Sequence, residues 1–324
     1  MSASVVLCTY NGERWLPELW RSLLAQTRVP DQVVVRDDAS GDGTFALLQE
    51  LAEEAQARGI RVMLARNERN LGFVGNFEAA LADASGEIVF LCDQDDVWHP
   101  QKIALMTESF ERRPNLLLLH SDARRVDEAG HDLHCGLFDA LEVTRRERAL
   151  IHGGRAFDAL LRRNLATGAT LAFRRSLLDE VAPFPSEWVH DEWLAIIAAA
   201  IGEVDCLEQP LIDYRQHGGN QIGAQSRDLA KKIARAAEPR QAYLQGLIGR
   251  TDLLLRRLRG LDPRIPEAKI RAVSGKLRHL QRRAAMRACR PCRLPVVLLE
   301  SARGGYARYA RGMHAAAYDL FGRN

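Results

Sequence analysis

Long hydrophobic segments are missing from this 324-residue sequence, and their absence narrows what the protein can be. No run approaches the roughly 18 apolar residues that a membrane-spanning helix needs. The chain opens MSASVVLC, without a basic segment followed by a long apolar core, so we expect no secretory signal. We therefore expect a cytoplasmic protein. Apolar residues still make up 47% of the chain, which is ample for a buried core.

Cysteine is scarce, and the six cysteines are scattered along the chain. Cys8 and Cys92 lie in predicted buried strands, where a reduced cysteine acts as a small hydrophobic residue. Cys289 and Cys292 form a single CxxC pair. Because no second pair accompanies it, this motif is weak evidence for a zinc site.

A strong net charge is also missing, but the net value of +3 hides a polarised distribution. Residues 226–324 contain 23 Lys and Arg against 7 Asp and Glu, whereas residues 1–225 contain 22 against 35. Three amphipathic helix patterns follow residue 240, at 244–258, 270–284 and 306–320. We predict a catalytic domain over 1–225 and a basic helical region over 226–324.

Apolar runs alternate with helical spacings through the first hundred residues. Strands are predicted at 5–8, 32–36, 60–65 and 88–92, with helices at 14–26, 45–58 and up to residue 84. This β-α alternation is typical of a doubly wound, mostly parallel sheet. Further along, 127–150 is predicted to be irregular, 167–173 to be a strand containing a glycine, and 188–200 to contain a helix.

An acidic cluster follows the fourth predicted strand. The apolar run 88–92 stops at Asp93, Gln94, Asp95 and Asp96. Neighbouring carboxylates raise one another's pKa unless a positive charge compensates. A divalent cation that also binds substrate phosphate oxygens is the natural compensation. An isolated DxD is more often a solvated acidic turn, but its position at a strand end favours a ligand site.

A second acidic pair, Asp37 and Asp38, ends the second predicted strand. If the strands are parallel, both acidic groups meet at one edge of the sheet. A base and ribose can then bind at the first pair while a metal-bound diphosphate lies at the second. The alternative for Asp38 and Ser40 is an ordinary helix cap and turn, which is compatible with ligand binding.

Two later motifs are ambiguous when taken alone. Asp191 and Glu192 lie near a predicted helix start, where acidic residues also interact favourably with the helix dipole. His217 follows a predicted strand, and a histidine there is usually structural. As a third protein ligand to a metal it is chemically reasonable.

Taken together, these motifs resemble those of glycosyltransferase family 2. The resemblance rests on CTYNGERWL, VVVRDDASGDGT, NLGFVGNFEAAL, EIVFLCDQDDVW, VHDEW and YRQH, in that order over residues 3–222. It implies an inverting enzyme of GT-A fold, a Rossmann-like mixed sheet flanked by helices, with a C-terminal α-helical appendage. The DQDDVW and HDEW motifs are similar to those of a bacterial rhamnosyltransferase-like branch that builds O-antigen and other surface polysaccharides.

The resemblance also implies roles for individual residues. Asp38 contacts the base with Asp37 beside it, Asp93 lies nearer the ribose, and Asp95 binds the metal. His217 completes the metal site, and Asp191 is the general base. The residues implied around the nucleotide and donor sugar are Thr9, Tyr10, Asn11, Glu13, Asp37, Asp38, Asn70, Gly72, Asn76, Asp93 and Gln94.

The implied reaction moves a sugar from a nucleotide-sugar donor to a hydroxyl of a lipid-linked or polysaccharide acceptor, with Mg²⁺ or Mn²⁺. The expected donor is dTDP-L-rhamnose, and a UDP-hexose is the alternative. A nucleotidyltransferase is a rival, but TYNGE lacks that family's glycine-rich basic phosphate loop. A non-catalytic sugar-binding module is disfavoured by the intact Asp93, Asp95 and Asp191.

The basic region suggests two kinds of partner. Its charge fits nucleic acid, but the acidic body would repel phosphates, so we expect no nucleic-acid binding. Arginine-rich amphipathic helices fit the anionic inner face of the cytoplasmic membrane, beside a polyprenyl-linked acceptor. The alternative is that the apolar stripes pack on each other, on the catalytic domain or across a homodimer.

Overall fold

The chain, described here from a computed structural model, forms two compact units. The structure describes residues 1–218, 240–261, 263–286 and 289–322. The first unit comprises Met1–Ala156 and Leu165–Gln225, and the second comprises Phe157–Asn164 and Ser226–Asn324. The boundary predicted at residue 225 lies outside the described residues.

Nine strands of the described chain form one mixed sheet in the first unit. The strands are β1 Ala3–Thr9, β2 Gln32–Asp37, β3 Arg61–Arg66, β4 Ile88–Asp93, β5 Val97–Trp98, β6 Leu116–Val126, β7 Asp132–Gly136, β8 Leu171–Arg174 and β9 Glu203–Arg215. Their order is β3-β2-β1-β4-β8-β6-β9-β5, and β7 pairs with β6.

β1 is the centre of the parallel half of the sheet. It pairs in parallel with β2 and β4, and β2 pairs in parallel with β3. Six of the seven residues of β1 are buried, as expected for a strand covered on both faces. β8 runs antiparallel to β4 and β6, which makes the sheet mixed. The predicted fold class is confirmed.

Helices cover this sheet. Those of the first unit are α1 Leu16–Leu24, α2 Thr44–Ala57, α3 Gly72–Leu81, α4 Lys102–Arg112, α5 Leu137–Ala140, α6 Arg145–His152, α8 Leu178–Val181 and α9 His190–Ile201. In α1, Leu16, Leu19, Trp20 and Leu23 recur at helical spacing and are at most 1% exposed. Each such side chain stabilises the fold by about 1.5–3 kcal/mol.

Two local predictions were wrong. Residues 127–150, predicted to be irregular, contain β7, α5 and most of α6. At the start of α6, Thr144 and Glu147 form a capping box that satisfies backbone N–H donors. The helix is thus stabilised by a cap, and the sequence shows no apolar periodicity there. The segment 167–173, predicted as one strand, begins with the 3-10 turn Gly168–Thr170 before β8 starts.

The second unit is helical, in agreement with the predicted C-terminal helical region. Its helices are α7 Ala156–Arg162, α10 Arg240–Gly260, α11 Glu267–Ala284, α12 Arg290–Ala302, α13 Gly305–Tyr309 and α14 Met313–Phe321. The first residue of α7, Ala156, belongs to the first unit. The pattern at 306–320, predicted as one helix, is interrupted at Gly312, whose φ of +58° favours glycine. α12 was not predicted; it tolerates Pro291 because proline fits a first helical turn.

The apolar stripes predicted on α10 and α11 are largely buried. Leu244, Leu255 and Leu258 of α10 and Val273 and Leu280 of α11 are at most 5% exposed. The stripes therefore pack, as the alternative interpretation expected. No helix among the described residues combines the length and apolarity required to cross a bilayer.

Candidate active site

Three loops that follow neighbouring parallel strands meet at one edge of the sheet. β1 ends at Thr9, β2 at Asp37 and β4 at Asp93. Thr9 is the register partner of Asp37, and Cys8 is the partner of Asp93. The acidic residues of β2 and β4 therefore flank the end of β1. This edge is where ligands bind in open α/β sheets.

Asp37 is fully buried and holds the β2 loop in shape. Its carboxylate accepts hydrogen bonds from the hydroxyls of Thr9 at 3.0 Å and Ser40 at 2.5 Å, and from the Ser40 backbone N–H at 3.0 Å. The Arg66 guanidinium lies 3.4 Å from the second oxygen. Because both oxygens are engaged, Asp37 acts by positioning the loop beside it.

The carboxylate of buried Asp38 makes its hydrogen bonds through one oxygen. Its Oδ1 accepts hydrogen bonds from Asn67 Nδ2 and from the Leu71 backbone N–H, both at 2.8 Å. Asn70 Nδ2 donates to the Asp38 carbonyl at 3.3 Å. All protein partners of this carboxylate within residues 1–218 bond to Oδ1.

The motif Asn70–Asn76 supports Asp38 from the next loop. Asn70 Oδ1 accepts from the Gly72 backbone N–H at 2.9 Å, and Gly72 has a φ of +73° that favours glycine. Asn76 is buried, with its amide donating to the Arg36 carbonyl at 3.0 Å and accepting from Asn67 at 2.9 Å. Asn76 thus orients Asn67, which sequence patterns gave no reason to single out.

The β1 loop is tied to both neighbouring loops. Asn11 Oδ1 accepts from the Gly41 N–H at 2.8 Å, and Glu13 Oε2 accepts from the Gly43 N–H at 2.9 Å. On the other side, Gln94 exchanges two hydrogen bonds with the Tyr10 backbone, at 2.8 and 3.0 Å. The Tyr10 side chain is exposed, so it is available to a ligand.

The carboxylates after β4 raise one another's pKa, as the sequence predicted. Burial, with the nearby charges of Asp95 and Asp191, raises the pKa of Asp93 to about 7. Burial, with Asp95 and Asp93, raises the pKa of Asp96 well above its usual range. Asp96 Oδ2 has no hydrogen-bond partner in the described part of the chain. This concentration of carboxylates favours a bound cation.

Asp95 and His217 lie in contact, although 122 residues separate them in the chain. Asp95 Oδ2 is 2.7 Å from His217 Nε2, and the His217 ring stacks on Trp15 with centroids 5.1 Å apart. These two residues fit a site in which a substrate diphosphate supplies the remaining ligands of Mg²⁺ or Mn²⁺. Among the described residues, a compact three-residue ligand group occurs elsewhere, at His152, Asp205 and Cys206.

Arg215 is a site residue that the individual predictions missed, although it lies in the YRQH motif. Its backbone N–H donates to Asp96 Oδ1 at 3.1 Å, and its Nε donates to the Asp95 carbonyl at 2.9 Å. Its guanidinium also bonds Glu18 at 2.6 Å and lies 4.9 Å from the Trp15 ring. Arg215 therefore fixes the backbone of the acidic loop against β9.

Asp191 lies in the first turn of α9, and its carboxylate is held by backbone donors. The Gly168 N–H donates to Oδ2 at 2.9 Å, and the Glu192 N–H donates to Oδ1 at 2.6 Å. Lys102 Nζ donates to the Ala169 carbonyl at 2.7 Å, so the buried lysine supports the same 3-10 turn. Burial lowers the pKa of Lys102 to about 8. Because Asp191 contributes to the raised pKa of Asp93, the two acids share one electrostatic environment.

His190, the neighbour of Asp191, packs against an aromatic side chain. Its ring stacks on Phe77 with centroids 4.2 Å apart, and burial lowers its pKa to about 3. Neither ring nitrogen has a hydrogen-bond partner within the described residues. His190 is therefore a neutral packing residue beside Asp191.

Solved structures share this fold. A structure of S. aureus TarS in complex with UDP-GlcNAc superimposes with a TM-score of 0.58 at 20% identity, covering 87% of this chain and 72% of that chain. The mannosyltransferase PcManGT from Pyrobaculum calidifontis, in complex with GDP-Man and Mn²⁺, gives 0.53 at 22% identity, covering 93% and 75%. The fold is of the GT-A type.

Sequence comparison gives the family. The model of glycosyl transferase family 2 matches residues 4–181, which include the acidic edge described above, and the chain belongs to this family of transferases. An uncharacterised glycosyltransferase from Nostoc sp. is 30% identical over 231 residues, covering 68% of this chain and 66% of that protein. An uncharacterised protein from Mycobacterium tuberculosis is 29% identical over 219 residues, covering 66% and 58%. The chain thus spans less than two thirds of the length of these curated relatives.

Proposed function

We propose that this protein is an inverting, divalent-metal-dependent glycosyltransferase that uses a nucleotide-sugar donor. The observation that carries the proposal is the convergence of Asp38, the Asp93–Asp95 pair with His217, and Asp191 at one edge of the sheet. Two proteins of the same fold are in complex with UDP-GlcNAc and with GDP-Man and Mn²⁺, which supports a nucleotide sugar as the donor.

The donor nucleotide lies across the three loops. Asp38 Oδ2 accepts an N–H of the base, since its other oxygen is engaged by Asn67 and Leu71. Asp37, Asn11 and Glu13 act indirectly by holding the loops that line the pocket. Thr9, Tyr10 and Gln94 border the pocket from the β1 and β4 loops.

The cation belongs at Asp95 and His217, with Asp93 beside it. When bound, Mg²⁺ or Mn²⁺ neutralises charge that develops on the departing nucleoside diphosphate. The residues themselves prepare this position: burial and mutual repulsion make Asp93 and Asp96 costly to ionise until a positive charge is present. Arg215 holds the acidic loop in place through the Asp95 carbonyl.

Asp191 is the general base. It takes the proton of the acceptor hydroxyl as that oxygen bonds to the anomeric carbon, while the bond to the diphosphate oxygen breaks on the opposite face. The N–H groups of Gly168 and Glu192 orient its carboxylate for this transfer. No covalent enzyme intermediate is needed, so configuration inverts; a β-L-rhamnosyl donor gives an α-L-rhamnoside.

Our proposed donor is dTDP-L-rhamnose, on the strength of the DQDDVW and HDEW motifs, and a UDP-hexose is the second candidate. Calorimetry on the full chain with Mg²⁺ separates them. We expect saturable binding of dTDP-L-rhamnose that weakens in Asp38→Asn. Tight binding of a UDP-hexose without binding of dTDP-L-rhamnose overturns the rhamnosyl assignment and leaves the glycosyltransferase assignment intact.

We also propose that the second unit binds the anionic inner face of the cytoplasmic membrane, near a polyprenyl-linked acceptor. The buried stripes of α10 and α11 do not supply the contact, but α12 exposes Leu294, Leu298 and Leu299, at 46%, 60% and 48%. Basic residues near such a face each gain about 1 kcal/mol from anionic lipid.

Co-sedimentation of the full chain with anionic and neutral vesicles tests the membrane contact. We expect low-salt binding to anionic vesicles that weakens in Leu298→Glu. Leu133→Glu changes an exposed leucine of the first unit and is the matched control. If the unchanged protein does not co-sediment with anionic vesicles, the exposed face of α12 is better explained as a contact between two copies of the chain in a homodimer.

A further inference from the structure

A group of side chains that could hold a metal ion lies where α6 ends beside β9. His152 is the last residue of α6, and Asp205, Cys206 and Glu208 belong to β9. Ligand atoms of His152, Asp205 and Cys206 lie within 4.8 Å of one another. All four residues are in the first unit, and none of them belongs to the acidic edge formed by β1, β2 and β4.

The imidazole of His152 is oriented by a carboxylate. Its Nδ1 lies 2.7 Å from Asp205 Oδ1, and this carboxylate also bonds Arg113. Since an ionised carboxylate only accepts hydrogen bonds, Nδ1 carries a proton, and in the neutral imidazole Nε2 then carries the lone pair. A carboxylate on the far nitrogen is the arrangement that orients histidines bound to zinc.

The free lone pair of His152 points toward a thiol and a second carboxylate. Nε2 lies 3.9 Å from Cys206 Sγ and 3.5 Å from Glu208 Oε1. Zinc bonds nitrogen and oxygen at about 2.0–2.2 Å and sulfur at about 2.3 Å in tetrahedral geometry, which separates two ligand atoms by roughly 3.3–3.7 Å. The observed distances are close to this separation.

The local charge also suits a divalent cation. Three carboxylates face two guanidinium groups here, through the pairs Arg113–Asp205, Arg113–Glu203 and Arg148–Glu208. One negative charge remains, and a Cys206 thiolate adds a second. An ion-pair network accounts for Asp205 and Arg113, but it does not include the Cys206 thiol, which lies 3.9 Å from His152 Nε2.

His120 adds a second buried polar group on the same sheet face. It is the register partner of Cys206 on the adjacent strand β6, and it is 1% exposed. Neither of its ring nitrogens has a hydrogen-bond partner in the part of the chain that the structure describes. His120 is therefore a buried imidazole on the strand beside Cys206, outside the compact ligand group.

We propose that His152 Nε2, Cys206 Sγ and Glu208 form a Zn²⁺ site, with Asp205 orienting the histidine and water as the fourth ligand. On binding, the Cys206 S–H bond breaks, a Zn–S bond forms, and the proton goes to solvent. Because a thiolate is the form that binds zinc, metal binding releases a proton and the affinity falls as the pH is lowered. The ion joins the end of α6 to the middle of β9 and is a structural element, independent of sugar transfer.

Zn²⁺ titration of the EDTA-stripped full chain, in competition with a chromogenic chelator, tests the site. The titration uses Asp95→Ala, which removes the proposed catalytic metal site. We expect one Zn²⁺ per chain, and a thiolate-to-metal charge-transfer band when Co²⁺ replaces Zn²⁺. Cys206→Ser should abolish the band. Asp205→Asn should lower affinity about 10- to 100-fold, as for other residues that orient a ligand.

Two further variants keep the result decisive. Glu208→Gln changes a side chain that is 56% exposed, and we expect it to lower Zn²⁺ affinity without shifting the melting temperature of the metal-free protein. Cys135→Ser removes a thiol on β7 and should leave binding unchanged. Absence of Zn²⁺ binding in Asp95→Ala, or an unchanged Co²⁺ band in Cys206→Ser, overturns the proposal.

Discussion

Asp191 is held by two backbone N–H groups at the start of a helix, and these two donors orient its carboxylate. Gly168 contributes one donor from a 3-10 turn, and Lys102 supports that turn through the Ala169 carbonyl. The orientation therefore depends on residues that lie far apart in the chain.

Replacing Asp191 by asparagine tests its role as base. The amide keeps one oxygen for a backbone donor but has no basicity, so we expect turnover to fall by about 10²-fold or more while the donor dissociation constant stays the same. Steady-state kinetics and donor calorimetry measure the two effects. Glu192→Gln is the matched control, and an essential Glu192 beside a dispensable Asp191 contradicts the assignment.

At the scale of loops and helices, much of the candidate site follows from sequence and part does not. Apolar runs ending in Asp37 and Asp93 predicted parallel strands with adjacent acidic ends, and the register of β1, β2 and β4 confirms them. Asn67 and Lys102 were not predicted, because their roles come from contacts with Asp38 and Ala169 that no local pattern encodes.

In the helical unit, too, the sequence predicted some elements and missed others. Periodicity predicted α10 and α11 but could not say what covers their apolar faces. It missed α12, because prolines at 291 and 295 obscure a helix whose first turn accommodates one of them.

Gly12 tests how tightly the β1 and β4 loops are joined. A Cβ at Gly12 would lie 2.2 Å from Gln94 Oε1, so Gly12→Ala must displace the side chain that makes two hydrogen bonds to the Tyr10 backbone. We expect the free energy of unfolding to fall by about 1–3 kcal/mol in urea titrations. A Cβ at Gly41 would have no atom within 4 Å, so Gly41→Ala should lower the free energy of unfolding much less. Equal losses in both variants would contradict the importance of the Gly12–Gln94 contact.

Asp319 tests the buried charge network of the second unit. It is fully buried and bonds Arg240 Nε at 3.0 Å, Arg283 Nε at 2.6 Å and the Tyr306 hydroxyl at 2.6 Å. Asp319→Asn leaves two buried guanidinium groups without a counter-charge, so we expect a loss of about 3–5 kcal/mol in thermal or urea unfolding.

The control for this network is Asp252→Asn, which removes a surface pair with Arg256. We expect it to change stability by less than about 1 kcal/mol. A loss no greater in Asp319→Asn than in this control would show that the buried network contributes little to the stability of the unit.

At the scale of the whole molecule, the stability of the fold depends on pH through two kinds of buried group, histidines and carboxylates. Burial lowers the pKa of His120 to about 4 and that of His190 to about 3, whereas it raises the pKa of Asp93 to about 7. Below about pH 6.5 these histidines are protonated in the unfolded chain but stay neutral in the folded chain. The free energy of unfolding therefore falls as the pH is lowered. The raised pKa of Asp93 acts in the opposite direction between about pH 7 and 4.

His190→Phe isolates one of these contributions while keeping an aromatic ring against Phe77. Relative to the unchanged protein, the variant should gain about 2 kcal/mol in free energy of unfolding between pH 7 and pH 5, since one unit of pKa is worth about 1.4 kcal/mol. Urea unfolding at both pH values measures it. His131→Phe, at an exposed position, should show no such gain; an equal gain there contradicts the explanation.

The most direct test of the proposed function is nucleoside diphosphate release from a panel of nucleotide sugars by the full chain. The account predicts release from one donor class, with dTDP-L-rhamnose first, that requires Mg²⁺ or Mn²⁺, stops in EDTA and is lost in Asp95→Ala. Full activity of Asp95→Ala in EDTA, or no release from any nucleotide sugar with either metal present, would contradict it.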